Sequence, residues 1–261
     1  MADQVLLETR NMSKHFGGVK AVQDFNLAVK RDEIMGLIGP NGAGKTTVFN
    51  VITGVYGPTS GHVIFRGEDI TGLEPHVIVS KGITRTFQNI RLFPNLTVLE
   101  NVKVSYSYVR KSSVAQSLVR NRVFLKEESD ITGRSMALLS RFGLAGRHSE
   151  TVRNLPYGEQ RRVEIVRAIG TNPTLLLLDE PAAGMNPSEL DSLMELILWI
   201  KQEFKLTVIV IEHQMRMIMN LCPRIRVMDF GETIADGTPD QVRANPDVIT
   251  AYLGRRATSA S

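Results

Sequence analysis

Ile34-Met-Gly-Leu-Ile38, Leu175-Leu-Leu-Leu178 and Val208-Ile-Val-Ile211 are short, strongly apolar runs. The first predicts a buried strand, and the other two predict central strands of a parallel sheet covered on both faces. The first thirty residues instead alternate weakly, as in Gln23-Asp-Phe-Asn-Leu-Ala-Val-Lys30, and predict antiparallel strands. Gly61-His-Val-Ile-Phe-Arg66 predicts another strand, entered through the turn residues Gly57-Pro-Thr-Ser60. Val48 to Thr53 predicts a helix stopped at Gly54, and Ser188 to Phe204 has helical periodicity, with Ser188 as its cap after Pro187. Ile225–Met228 and Glu232–Ala235 predict a hairpin around Phe230-Gly231. A last helix should end near Tyr252-Leu-Gly254, with residues 255–261 a frayed tail. From about Leu96 to Leu144 the pattern is helical and rich in Tyr, Ser, Lys and Arg. The basic residues Arg110, Lys111, Arg120, Arg122 and Lys126 predict a solvated helix face.

The chemistry begins at Gly39-Pro-Asn-Gly-Ala-Gly-Lys-Thr-Thr47, which fits the pattern G-x-x-x-x-G-K-[ST]. It lies between an apolar strand and a helix, the arrangement that turns backbone N–H groups and a helix N-terminus toward an anion. Glycines let the backbone approach phosphates that a Cβ would keep away. Lys45 supplies a positive charge for β- and γ-phosphates, and the Thr46 hydroxyl a ligand for Mg²⁺. Nucleotide binding is therefore assigned to Gly39, Pro40, Asn41, Gly42, Ala43, Gly44, Lys45, Thr46 and Thr47. Asp179 and Glu180 follow the second apolar run, so their strand end should lie beside the glycine loop. Asp179 can hold Mg²⁺ through its shell, and Glu180 can orient or deprotonate a water that attacks the γ-phosphate.

Bulk properties narrow the setting. With 261 residues, 43% hydrophobic and 22% charged, the chain suits one large domain or a domain with a subdomain. Its apolar runs are far shorter than the ~20 residues a membrane span requires. The first ten residues carry Asp3 and Glu8 around a very short apolar run and do not read as a signal peptide. Cys222 is the single cysteine, which excludes an intrachain disulfide and suits a reducing cytoplasm. A net charge of +4 does not argue for a nucleic-acid partner, and none is expected.

Together with the motifs of the previous paragraphs, Gln88 in Thr86-Phe-Gln-Asn-Ile-Arg-Leu-Phe-Pro94, Leu155-Pro-Tyr-Gly-Glu-Gln-Arg-Arg162 and His213 in Ile211-Glu-His-Gln214 resemble the ATP-binding-cassette (ABC) ATPases in order and spacing. The resemblance runs from Leu6 to Gly254. It implies an α/β fold: a P-loop NTPase core with a parallel central sheet, an N-terminal antiparallel β-subdomain and a helical subdomain near 90–165, all within one ABC ATPase domain, 1–254. It also implies a catalytic set of Glu180, His213 and Gln88, with His213 donating a hydrogen bond to the γ-phosphate. Gln88 would join Thr46 and Asp179 around Mg²⁺, and Phe16 would stack on adenine. Gly158 would offer its N–H to an ATP held by a second cassette. The serine common in the family's signature is replaced here by Pro156, and Ala183-Gly-Met-Asn186 departs from the commoner Ser-Ala-Leu-Asp. Tyr157–Arg162, Pro181–Pro187 and Ala251–Gly254 resemble one subgroup, the ATPases of bacterial and archaeal branched-chain amino-acid importers (the LivG type). Gln214 stands where that subgroup usually has Asp. The resemblance implies a homodimer or heterodimer of cassettes on the cytoplasmic face of the membrane, bound to transmembrane permease subunits and served indirectly by a solute-binding protein. Two other readings stay open: an exporter of lipopolysaccharide or lipid, whose ATPases share the Tyr-Leu-Gly ending, and a soluble ABC ATPase acting on nucleic acid.

Overall fold

The computed structural model describes residues 4–109 and 122–258. The weakly alternating start forms β1 (Val5–Phe16) and β2 (Val19–Lys30), which pair antiparallel. With β4 (Ser60–Phe65) and β5 (Glu68–Asp69) they build a four-stranded antiparallel sheet in the order β2-β1-β4-β5. The short apolar runs became β3 (Ile34–Ile38), β7 (Leu175–Asp179) and β8 (Thr207–Ile211), every residue of which is buried. They sit in a six-stranded sheet ordered β10-β9-β3-β8-β7-β6, with β6 at Ile83–Arg85, β9 at Arg224–Asp229 and β10 at Glu232–Gly237. All its pairings are parallel except the β9–β10 hairpin. A strand flanked on both edges and both faces has no wet side, which is why these runs lack polar alternation.

The chain divides into two compact units. The first, residues 1–88 with 174–261, carries both sheets. The second, Asn89–Pro173, is helical. It holds helices Val98–Lys103, Arg122–Arg141 and Tyr157–Ile169. Thr97 and Glu100 close a capping box on the first of these. The fully buried Asn101 satisfies its amide on the carbonyls of Phe93 and Thr97, and its carbonyl accepts from the Phe93 N–H. In the third, Arg161 and Glu164 form an ion pair at 2.6 Å with both side chains 1% exposed. Of the basic residues singled out above, Arg122 and Lys126 are exposed, and Arg110, Lys111 and Arg120 lie outside the described residues.

Three local expectations need correction. The helix after the glycine loop begins at Lys45, not Val48, because the loop's own Lys-Thr-Thr forms its first turn. The helix Pro187–Phe204 is capped by Asn186, not Ser188. The Asn186 side chain accepts from the N–H groups of Ser188 and Glu189, and Glu189 closes a capping box on the Asn186 N–H. Pro187 at the first helical position fits, since its missing N–H is one the helix leaves unpaired anyway. The final helix runs Pro246–Thr258, past the end expected at Gly254.

Candidate functional site

The glycine loop follows β3 and delivers Lys45 and Thr46 at the start of helix Lys45–Ile52. Gly39 has φ +150°, and a Cβ there would lie 2.1 Å from the Met228 carbonyl oxygen. Gly44 has φ +102°, and its Cβ would lie 2.3 Å from the Ala21 carbonyl oxygen. Both positions therefore require glycine on steric grounds alone. The buried Lys45 ammonium donates to the carbonyls of Gly39 at 2.7 Å and Pro40 at 2.9 Å, which arches the loop around it. Ala43 is tied to the β9–β10 hairpin, its carbonyl accepting from the Gly231 N–H at 3.0 Å.

All nine residues from Gly39 to Thr47 line one open cleft of about 1170 Å³, and Gln88, Glu180 and His213 line it too. Strand order explains the convergence. β8 lies between β3 and β7 and pairs Ile211 with Asp179, so the residues just past β7 and β8 emerge side by side. The Glu180 N–H donates to the Ile211 carbonyl at 2.8 Å. The Gln88 amide donates to Glu180 Oε2 at 2.7 Å, and His213 Nδ1 lies 3.7 Å from the same oxygen. The Glu180 side chain is 15% exposed and that of His213 53%, so the carboxyl is sheltered behind a more accessible imidazole. Glu180 has φ +45°, a left-handed backbone that side-chain-bearing residues seldom adopt. Its carboxyl is thus held in place at a cost in backbone strain.

Two expected residues do not line the cleft, and a third belongs to the other unit. Asp179 is 3% exposed and does not line the cleft. Its carboxyl accepts from the Arg85 guanidinium at 2.5 Å. Phe16 does not line the cleft either. Its ring stands edge-on to Tyr56 at 5.2 Å, with the Lys14 ammonium 5.1 Å from its centroid, and the neighbouring wall is made by Val19, Lys20 and Ala21. Gly158 belongs to the helical unit, in the first turn of helix Tyr157–Ile169.

Sequence reasoning passed over three residues. Arg85 donates to both Asn50 and Asp179, with its guanidinium carbon 5.5 Å from the Phe49 ring and 5.1 Å from the Phe87 ring. Its signal is a charge at the end of the buried β6. Glu212 is fully buried directly after β8, where a carboxyl group is out of keeping with the apolar run before it. Tyr252 brings the last helix to the cleft wall, and burial pushes its hydroxyl up to about 12. No element of local pattern foretells that reach.

A helix opening on a glycine loop suits a polyphosphate, and a carboxyl group beside an imidazole on the facing strand ends suits the attack of water on it. Both sit at the carboxyl ends of parallel strands, as in the P-loop nucleoside-triphosphate hydrolases. Comparison with known proteins narrows this class. Residues 22–183 match the family described as ABC transporter. Residues 232–258 match that described as branched-chain amino acid ATP-binding cassette transporter. The high-affinity branched-chain amino acid transport ATP-binding protein LivG of Escherichia coli K12 is 44% identical over 96% of this chain and 98% of its own. The lipopolysaccharide export system ATP-binding protein LptB of Haemophilus influenzae is 34% identical over 96% of this chain and 98% of its own. The ADP conformation of MJ1267, an ATP-binding cassette of an ABC transporter, superposes with a TM-score of 0.83 at 32% identity, covering 96% of this chain and 99% of that one. The chain belongs to the ABC transporter family, as one of its ATP-hydrolysing cassettes.

Proposed function

We propose that this chain hydrolyses ATP to drive the import of branched-chain amino acids. The observation that carries the substrate class is the 44% identity to LivG over nearly the whole of both chains, against 34% to LptB over the same length. The match of residues 232–258 to the branched-chain amino acid cassette family supports the same reading. Among the described residues no helix is long and apolar enough to cross a membrane, so the transport path belongs to permease subunits. The cassette sits against them on the cytoplasmic face, and a solute-binding protein delivers the amino acid from the other side.

The chemistry assigned to the cleft is in-line hydrolysis. The loop Gly39–Thr47 holds the phosphates, with Lys45 turning from its loop carbonyls to the β- and γ-oxygens. Glu180 accepts a proton from the attacking water, and Gln88 fixes the Glu180 carboxyl through the 2.7 Å bond. His213 donates to the γ-phosphate, where negative charge gathers. Among the described residues no cluster of three or more His, Cys, Asp or Glu is placed to hold a metal. Mg²⁺, which favours oxygen donors such as Thr46 and Gln88, would accompany the nucleotide in this cleft. Thr46, Gln88 and Asp179 are the residues assigned to hold it. The metal supplies charge neutralisation on the phosphates. Phe16 is assigned to the adenine, and Gly158 to the γ-phosphate of an ATP on a partner cassette, in a homodimer or heterodimer.

The test is uptake. A strain lacking this chain should lose ATP-driven accumulation of radiolabelled leucine, isoleucine and valine. The wild-type gene should restore it, and Glu180→Gln should not. Normal leucine uptake in a strain with no redundant importer, or failed lipid export instead, overturns the substrate while leaving the ATPase intact.

A further inference from the structure

Two carboxyl groups stand near His213, and only one faces the cleft. Glu180 lines it, whereas Glu212 is 0% exposed and turned away. Both Glu212 oxygens accept backbone donors. Oε1 takes the Ala182 N–H at 2.8 Å, and Oε2 takes the N–H groups of His213 at 3.0 Å and Gln214 at 3.2 Å. Gln214 closes the link from the other side, its amide donating to the Ala182 carbonyl at 3.0 Å. The two residues that flank His213 thus grip both backbone groups of Ala182. Ala182 is itself fully buried, two positions beyond Glu180. The turn it anchors continues through bonds from Ala183 to Glu180 and from Met185 to Ala182. It then leads through exposed Gly184 to exposed Asn186, the cap of helix Pro187–Phe204.

Gln214 occupies the N-cap position of helix Met215–Leu221 but makes no side-chain capping bond. A short acceptor such as Asp bonds the first-turn N–H groups well, and glutamine's longer arm does not. The amide instead supplies a donor, which a carboxylate cannot, and spends it on Ala182. At this position helix capping and the tether compete for one side chain.

We propose that Glu212 and Gln214 are positioning residues for hydrolysis. They lock the loop that follows Glu180 to the strand end that carries His213, so that the base and the γ-phosphate donor keep one mutual geometry. Neither residue lines the cleft. The proposal rests on the reading above that Glu180 and His213 act at the γ-phosphate. A mere structural staple makes a different forecast, because Gln214→Asp restores a helix cap while removing the tether. Stability and turnover then move apart under the proposal and together under the staple.

The experiment uses the full-length chain and compares Gln214→Asp, Gln214→Met and Glu212→Gln with wild type. Turnover and KM for MgATP, binding of a fluorescent ATP analogue, thermal unfolding and amide exchange across residues 181–186 are measured, with Glu180→Gln and His213→Ala in the same series. Both Gln214 variants should lose about five- to ten-fold in kcat, the equivalent of one hydrogen bond. Their KM and analogue affinity should stay within about two-fold of wild type, the mark of an interaction that matters only at the chemical step. Gln214→Asp should melt at or above the wild-type temperature, and exchange at 181–186 should quicken in both. Glu212→Gln should show the larger kcat loss if it folds; the Gln214 pair decides the matter if it does not. Unchanged kcat in both Gln214 variants, or kcat falling only in step with melting temperature, overturns the proposal. Wild-type hydrolysis by Glu180→Gln and His213→Ala overturns the reading beneath it.

Discussion

Arg85 and Asp179 form an ion pair between neighbouring parallel strands, 2.5 Å apart, with side chains 5% and 4% exposed. Neither residue lines the cleft. The pair joins the helix of the glycine loop to the strand of Glu180, because Arg85 also donates to Asn50 in helix Lys45–Ile52. Removing one member leaves the other charged and buried, which costs more than the pair itself contributes. Arg85→Met should therefore lower stability by about 3–5 kcal/mol. Adding Asp179→Leu in the same chain should recover a large part of that loss. Urea unfolding of the two variants and wild type reads this directly. An Arg85→Met protein as stable as wild type would mean the pair contributes nothing.

Glu180 offers a test in which function and stability oppose each other. Its φ of +45° costs about 1 kcal/mol or more for a residue with a Cβ, and glycine adopts it freely. Glu180→Gly should melt no lower than wild type while losing hydrolysis. Glu180→Gln, which keeps shape but cannot take a proton, should lose about 10²–10⁴-fold in turnover with ATP affinity retained. Equilibrium binding and single-turnover hydrolysis check both. A Glu180→Gln enzyme within a few-fold of wild type removes the base from this residue.

Much of this arrangement could be read in the sequence because it is written in short stretches. β3, β7 and β8 announced themselves as short apolar runs, and the residues immediately after them, Gly39–Thr47, Glu180 and His213, were bound to cluster once those strands lay in one parallel sheet. The helix cap was legible in principle, since Asn186-Pro-Ser-Glu189 is a capping box, but Ser188 is an equally good capping residue type and competed for the role. The partners of Arg85, Glu212 and Tyr252 were not legible. Asn50 and Asp179 lie far along the chain from Arg85, and Ala182 from Glu212, and a buried charge looks like any surface charge until its surroundings are known. Phe16 illustrates the converse: a motif position can be recognised while its contacts, here Tyr56 and Lys14, depend on how the turn before β2 folds.

Stability should decline in alkali through Cys222. Burial pushes this thiol up to about 12, against 9.0 for an ordinary one. Between those values the folded chain keeps a proton that the unfolded chain releases, so the unfolded state binds fewer protons and stability falls as pH rises. The contribution is complete below about pH 9 and is lost toward pH 12, at up to about 1.4 kcal/mol per pH unit. Urea unfolding at intervals from pH 8 to 11 should show this slope, flattened in Cys222→Ala. The native thiol should also resist iodoacetamide at pH 8 and react once unfolded. Equal slopes for wild type and variant would contradict the burial effect.

Gly158 offers a test of the proposed shared site that leaves the chain's own fold intact. Its φ is not in the left-handed region, and a Cβ built on it meets no atom of the described residues within 4 Å. Nothing in the packing of the described residues therefore requires glycine at that position, in contrast to Gly39 and Gly44. Glycine in a helix costs about 0.5–1 kcal/mol relative to alanine, so Gly158→Ala should raise the melting temperature slightly. If the helix N-terminus here meets the γ-phosphate of an ATP bound to a second cassette, the added methyl obstructs that approach. Hydrolysis should then fall at least about ten-fold, a loss of some 1.4 kcal/mol in transition-state binding, while the nucleotide affinity of the monomer is unchanged. Wild-type specific activity should rise with protein concentration as cassettes pair, and sedimentation with MgATP in a Glu180→Gln background should show dimers that the added Gly158→Ala change disperses. A Gly158→Ala protein with full activity, or a confirmed monomer whose activity scales strictly with its concentration, would refute the shared site.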